Sequence, residues 1–299
     1  MPLTNLSLGY QRRAKLFLTG AVLLLGLLFQ LLDRPEAVSG GLSVTVLDVG
    51  QGDAILLTTP HQQHVLVDGG PDAAILGQLN HFLSPPNKFD LVVASHNHAD
   101  HLTGLIEVLK RYPVATVWVS GAIHTSLTFE NFIRAAGRAE HRDYVKAGDS
   151  ITIDDTTFTV LYPLADQSGQ EPANQHSATI VLRVQYGATS LLMTGDLEAE
   201  DEQIILDRTD QALLRSQVLK VTHHGSGHAS SDDFLTAVAP TIGLISVGHD
   251  NKFGHPHQAT LDRLTAHGIE IYRTDAQGAI TCRSNGIVFS CRAERRSSS

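Results

Sequence analysis

A chain of 299 residues, 42% hydrophobic and 18% charged, has the composition of an ordinary globular protein, long enough for one large domain or two small ones. A formal net charge of −9 argues against strong, indiscriminate binding to nucleic acid, so a polyanionic substrate needs a local basic groove or delivery by another component. Only two cysteines occur, which excludes a cysteine-based zinc site, whereas the 16 histidines are abundant and fall mostly in short clusters.

At the N-terminus Arg12, Arg13 and Lys15 precede 17 uncharged residues, 16–32. At about 1.5 Å rise per residue these make a helix at the short end of a membrane span. The basic flank orients the N-terminus towards the cytoplasm and the remainder outward. Ala37-Val38-Ser39 supplies small residues at which a signal peptidase cuts, so a cleaved signal and a retained single membrane anchor both fit. Either way the expectation is an extracytoplasmic domain, 42–299, behind a signal or anchor plus linker, 1–41.

Short β-branched runs alternate with helical patterns beyond the linker. Strands are expected over 43–49, 54–58, 64–67, 91–94, 116–119, 157–161, 179–184, 190–193, 217–221, 241–247 and 269–273, then a closing hairpin. Helices are expected near 73–81, 101–111, 128–138, 199–207, 231–237 and 258–267. Several strands follow one another without an intervening helix. That favours an α/β sandwich of two mixed sheets flanked by helices over a doubly wound sheet. The polar stretch 163–177 is expected to border the mouth of a site. In the closing hairpin a two-residue Asn285-Gly286 turn pairs Ser284 with Ile287 and Cys282 with Phe289. Cys291 then lies diagonal to Cys282, and two free thiols or a strained disulfide are both open.

The chemistry concentrates where apolar runs stop. After 91–94 comes Ser95-His96-Asn97-His98-Ala99-Asp100-His101. His96 and His98, two apart in an extended loop, can aim at one ion, and Asp100 and His101 on the next turn can reach a second. Imidazole and carboxylate together suit Zn²⁺, with Mn²⁺ or Fe²⁺ as alternatives. A second apolar run ends in Gly195-Asp196, a carboxylate able to bridge two cations. A third ends in His223-His224, of which at least one completes the set. His176 is either a third ligand for the ion at His96 and His98 or a polar loop residue. His255, in Gly254-His255-Pro256-His257, is assigned to substrate contact or general acid–base work rather than ligation. Asp100 is expected to orient the nucleophile as well. Lys220 and Lys252 are candidates for offsetting phosphate charge or are simply solvated. His61, His64, His81, His124, His141, His249 and His267 are read as ordinary residues, and His228 has no assigned role. One or two divalent ions held in this way acidify water and brace a phosphodiester for displacement.

These residues resemble a known family. His96-Asn97-His98-Ala99-Asp100-His101, with Gly195-Asp196 and a later histidine, resembles the metallo-β-lactamase superfamily. More narrowly, the segments 47–54 (Leu-Asp-Val-Gly-Gln-Gly-Asp-Ala), Val67-Asp68-Gly69-Gly70, His223-His224-Gly225-Ser226 and Gly254-His255-Pro256 resemble the hydrolase domain of ComEC-type competence proteins, the DNA-uptake channels. The resemblance covers nearly all of the chain from about residue 42. It implies an αββα sandwich with metals at one edge of the sheets, ligation by His96, His98, Asp100, His101 and Asp196, and nuclease or phosphodiesterase activity. A full ComEC-type protein carries a multi-helix channel, whereas this sequence has at most one span, so a stand-alone relative is expected. Two other functions compete: hydrolysis of a small amide, ester or lactone, and a non-catalytic tethered module that binds a partner or DNA.

Overall fold

The central strands are apolar on both of their faces because both faces are covered. In the computed structural model, which describes residues 40–85 and 87–295, fifteen strands form two sheets. The expected signal or anchor segment lies outside the described residues. Among the described residues no helix is long and apolar enough to cross a membrane.

In chain order the first six strands are β1 (Leu42–Val46), β2 (Ile55–Thr58), β3 (His64–Val67), β4 (Phe89–Val93), β5 (Val114–Val119) and β6 (His141–Tyr144). With β14 (Ile280–Ser284) and β15 (Phe289–Ala293) they make one sheet in the order β15-β14-β1-β2-β3-β4-β5-β6. The second sheet contains β7 (Ser150–Ile153), β8 (Thr156–Tyr162), β9 (Val181–Tyr186), β10 (Thr189–Met193), β11 (Val218–Lys220), β12 (Ile242–Ile245) and β13 (Glu270–Arg273), in the order β13-β12-β11-β10-β9-β8-β7. Both sheets are mixed. Pairing is parallel from β3 to β6 and from β10 to β13, and antiparallel elsewhere.

The period of two along each strand divides the core into layers. Val65, Val67, Leu91 and Val93 of one sheet meet Leu191, Met193, Val218 and Leu244 of the other in a shared interior. Leu66 and Val92 point the opposite way, against α1 (Ile75–Phe82), α2 (Ala99–Arg111) and α3 (Leu127–Ala136), through Leu79, Leu102, Leu105 and Phe132. Leu192 and Leu219 face α4 (Ala199–Arg208), α6 (Asp232–Val238) and α7 (Gln258–Ala266), while α5 (Gln211–Leu214) and α8 (Thr274–Gln277) are single turns. The result is the expected helix–sheet–sheet–helix sandwich.

Expected and observed elements agree in type and differ at their ends. Strands β6 and β7 escape expectation because each is only four residues long; all four side chains of β6 are exposed, and β7 buries only Ile153 fully. The closing hairpin is corrected. Ser284 pairs with Phe289 and Cys282 with Cys291, so the loop spans four residues rather than two. The reason is Asn285, whose Oδ1 accepts from the backbone N–H groups of Ile287 and Val288, both at 3.0 Å, and holds a wider turn. The cysteines thereby stand directly opposite, Cα atoms 4.0 Å apart, and form a disulfide.

Candidate metal centre

Three strands, β4 of one sheet and the parallel pair β10 and β11 of the other, end where the donor residues gather. Strand β4 runs into Ser95 and His96, β10 into Gly195 and Asp196, and β11 into His223 and His224. His98 is the N-cap residue of α2, so Asp100 and His101 occupy its first turn. That helix is drawn hard against the sheet at Gly104. A Cβ there would lie 1.8 Å from the Gly69 carbonyl oxygen, and the Gly69 N–H instead donates to the His101 carbonyl at 2.8 Å. Gly195 has a similar role: at φ +49° it turns the chain so that Asp196 points back between the sheets, with no room for a side chain against Thr179.

Two donor sets result. In the first, His98 Nδ1 lies 3.0 Å from His96 Nε2 and 3.1 Å from His176 Nε2. His176 reaches it from a short 3-10 turn, Gln175–Ala178, in the polar stretch expected to border the site. In the second, Asp196 Oδ2 lies 3.3 Å from both His101 Nε2 and His224 Nε2. Asp100 Oδ2 is 3.9 Å from His101 Nε2 and 3.7 Å from His224 Nε2. The same Asp196 oxygen is 3.9 Å from His96 Nε2, so it stands between the sets. Of the two adjacent histidines, His224 joins the second set. His223 stands outside it, Nε2 3.7 Å from Asp196 and ring centroid 4.5 Å from that of His176, grouped with His176 and Glu198. His255 lies outside both sets, its ring 5.6 Å from His223 and 6.3 Å from His224.

On His96, His101, His176 and His224 the other ring nitrogen has a partner that fixes the imidazole. Asp68 accepts from His101 Nδ1 at 2.8 Å and also from the N–H and hydroxyl of Ser95. Ser95 Oγ in turn accepts from His96 Nδ1 at 3.0 Å. Glu198 accepts from His176 Nδ1 at 3.1 Å, and the Ser246 carbonyl from His224 Nδ1 at 2.8 Å. Sequence reasoning assigned no role to Asp68 or Asp53, although Asp68 ends an apolar run and both lie in the segments that carry the resemblance. Glu198 had no signal beyond its nearness to Asp196. Lys220 corrects one expectation: it is 1% exposed and bound to Asp53, so it cannot meet a phosphate at the mouth. Lys252 stays on the surface over the Phe253 ring.

Burial holds His96 well below its usual range and brings His98, His223 and His255 to about 4, so these rings are neutral and able to donate a lone pair. His101 and His224 move the other way. Burial opposes their protonation, but Asp196, with Asp68 on His101 and Asp53 on His224, holds both well above the ordinary value. The same pairing overcomes burial at Asp196 and Asp100 and keeps both carboxyls well below the carboxylate range. Positive charge is thus favoured where the carboxylates converge. His101 Nε2, His224 Nε2 and Asp196 Oδ1 are buried with no hydrogen-bond partner among the described residues. Such orphaned atoms, drawn from imidazole and carboxylate alone, fit a divalent cation of the zinc or manganese type.

A family model for a β-lactamase superfamily domain matches residues 63–242. The chain belongs to the metallo-β-lactamase superfamily, and its fold is that of a metal-dependent hydrolase. Within the superfamily it resembles the hydrolase domain of ComEC-type competence proteins. It is 31% identical over 289 residues to ComE operon protein 3 of Bacillus subtilis (strain 168), covering 90% of this chain and 36% of that protein. It is 34% identical over 254 residues to competence protein ComA of Neisseria gonorrhoeae, covering 83% and 33%. The chain therefore spans about a third of the length of the curated relatives it matches. Among solved structures, the metallo-β-lactamase fold protein YhfI from Bacillus subtilis superposes with a TM-score of 0.56 at 16% identity, over 82% of this chain and all of that one, which speaks for the fold alone.

Proposed function

We propose that this protein is an extracytoplasmic phosphodiesterase or nuclease that works with one or two divalent ions, zinc first and manganese second. The observation that carries the reading is Asp196: one oxygen lies within 3.9 Å of donors in both sets, as a bridging carboxylate in a two-ion centre must. The kinship with competence proteins favours a phosphodiester over an amide or lactone. The disulfide suits an oxidising compartment. In this reading residues 1–41 are the signal or anchor and 42–299 the catalytic domain.

His96, His98 and His176 would hold one ion and Asp100, His101 and His224 the other, with Asp196 available to both. Ions held there would lower the pKa of water and neutralise charge on the phosphoryl oxygens. Asp100 is the part-exposed carboxylate of the set, at 31% side-chain exposure, and orients the attacking water by accepting its hydrogen bond. The water oxygen would attack phosphorus as the P–O bond to the leaving group breaks, and the proton the water loses would pass to the departing oxygen. The neutral His255 ring, at the rim, would donate a hydrogen bond to a phosphoryl oxygen or to that departing oxygen.

The test is purified full chain loaded with Zn²⁺ or Mn²⁺ and offered single-stranded DNA, a chromogenic phosphodiester, a lactam and a lactone. Cleavage of the first two, abolished by His96→Ala, is expected. Turnover of the lactam or lactone alone would transfer the assignment to small-molecule hydrolysis, which the net charge of −9 favours. A fully metallated chain inert to all four would be a binding module.

A further inference from the structure

Lys220 is among the largest fully buried side chains, and no step above uses it. Its ammonium contacts Asp53 Oδ2 at 2.5 Å, donates to the Gly195 carbonyl at 3.1 Å and stands 3.8 Å from Asp196 Oδ1. Asp53 enters from the turn between β1 and β2 in the other sheet, and its Oδ1 lies 3.3 Å from His224 Nδ1, a charge contact beside the hydrogen bond that this nitrogen gives to the Ser246 carbonyl. The pair therefore touches the peptide that carries Asp196 and the ring of His224, two of the four donors of the second set. Lys220 is also locked from behind. Thr194 Oγ1 donates to its carbonyl at 2.9 Å, and β11 pairs Lys220 with Met193, so the ammonium is fixed relative to the turn that presents Asp196. A strand end needs no charge for packing, and a buried ammonium held by a carboxylate from a different sheet costs desolvation that plain apolar packing avoids.

We propose that Lys220 and Asp53 are positioning residues for the second ion: Lys220 sets the Gly195-Asp196 peptide, and Asp53 sets the His224 ring and keeps Lys220 in place. This rests on the two-ion reading above. The effect falls chiefly on the second ion, because the pair touches two of its donors, Asp196 and His224, whereas the first ion shares only Asp196 and keeps His96, His98 and His176.

The test compares the full chain with Lys220→Met, Asp53→Asn and the double variant, titrated with Zn²⁺ and with Mn²⁺ alone. Metal content, ion affinity and thermal unfolding are read together, with circular dichroism to confirm folding. The wild type is expected to bind two ions. Each single variant should lose stability and weaken one ion about ten- to a hundredfold. In the double variant no unpaired charge remains in the interior, so stability recovers while the second ion stays weak. If either single variant proves too unstable to purify, the double variant still decides. Recovery of both ions along with stability would make the pair a strut between sheets and overturn the proposal, as would two tightly held ions in Lys220→Met or a wild type that binds fewer than two. Two ions in the wild type, one lost in the variants and no phosphodiester cleavage would support positioning while refuting the function.

Discussion

Asp68 grips His101 from behind: its Oδ2 lies 2.8 Å from Nδ1, which leaves Nε2 to face Asp196. Asp68→Asn keeps the shape but sets an amide where a carboxylate oxygen took the hydrogen bond. Ion affinity should fall about ten- to a hundredfold with the circular dichroism spectrum unchanged. Equal affinity in an equilibrium competition against a chelator would show that His101 needs no such support.

Ion binding should register as heat resistance. At a free-metal concentration about 100 times the dissociation constant, the stabilisation is about 2.7 kcal/mol, or about 5–10 °C for a domain of this size. Differential scanning calorimetry with and without a chelator measures it, and superimposable curves would refute a preformed centre.

His255 and His96 should fail in different ways. His255→Ala is expected to lower kcat about 10²- to 10³-fold, as for loss of one hydrogen-bond donor to a developing charge, with full metal content because the ring lies outside both donor sets. His96→Ala should lose ion and activity together. Loss of metal in the His255 variant would make that residue a ligand.

A pH effect on stability should arise far from the metals. His64 is buried, with Nε2 donating to the Ser84 carbonyl at 2.9 Å, and burial depresses its pKa. The unfolded chain therefore binds its proton more readily. The stabilising contribution is complete above the unfolded value of about 6.5 and is lost as the pH falls through the depressed folded value. Metal-free protein should melt at lower temperature at pH 5.5 than at pH 7, and His64→Gln should show a shallower dependence. Identical slopes in the two proteins would remove His64 as a cause.

The centre was legible because its donors are polar stops on apolar strands. His96, Asp196 and His224 each follow a run buried on both faces, and a local pattern of that kind survives into the structure. Long-range pairings leave no such trace. Lys220 reads as a charge at a strand end, and only the arrival of Asp53 from the opposite sheet makes it an interior residue. Glu198 reaches His176 across 22 positions of sequence, and nothing local announces it. The hairpin shows a subtler loss. The Asn285-Gly286 rule is right about a turn being there, but the Asn285 side chain bonds two residues further out and shifts every cross-strand partner, which is what brings the cysteines face to face.

The donors come from both halves of the sandwich: His96, His98, Asp100 and His101 follow a strand of one sheet, while His176, Asp196 and His224 belong to the other. An ion seated among them is therefore a clasp across the seam. Any breathing motion that parts the layers must first release it, and a growing chain completes the first donor set only with residue 196 and the second only with residue 224.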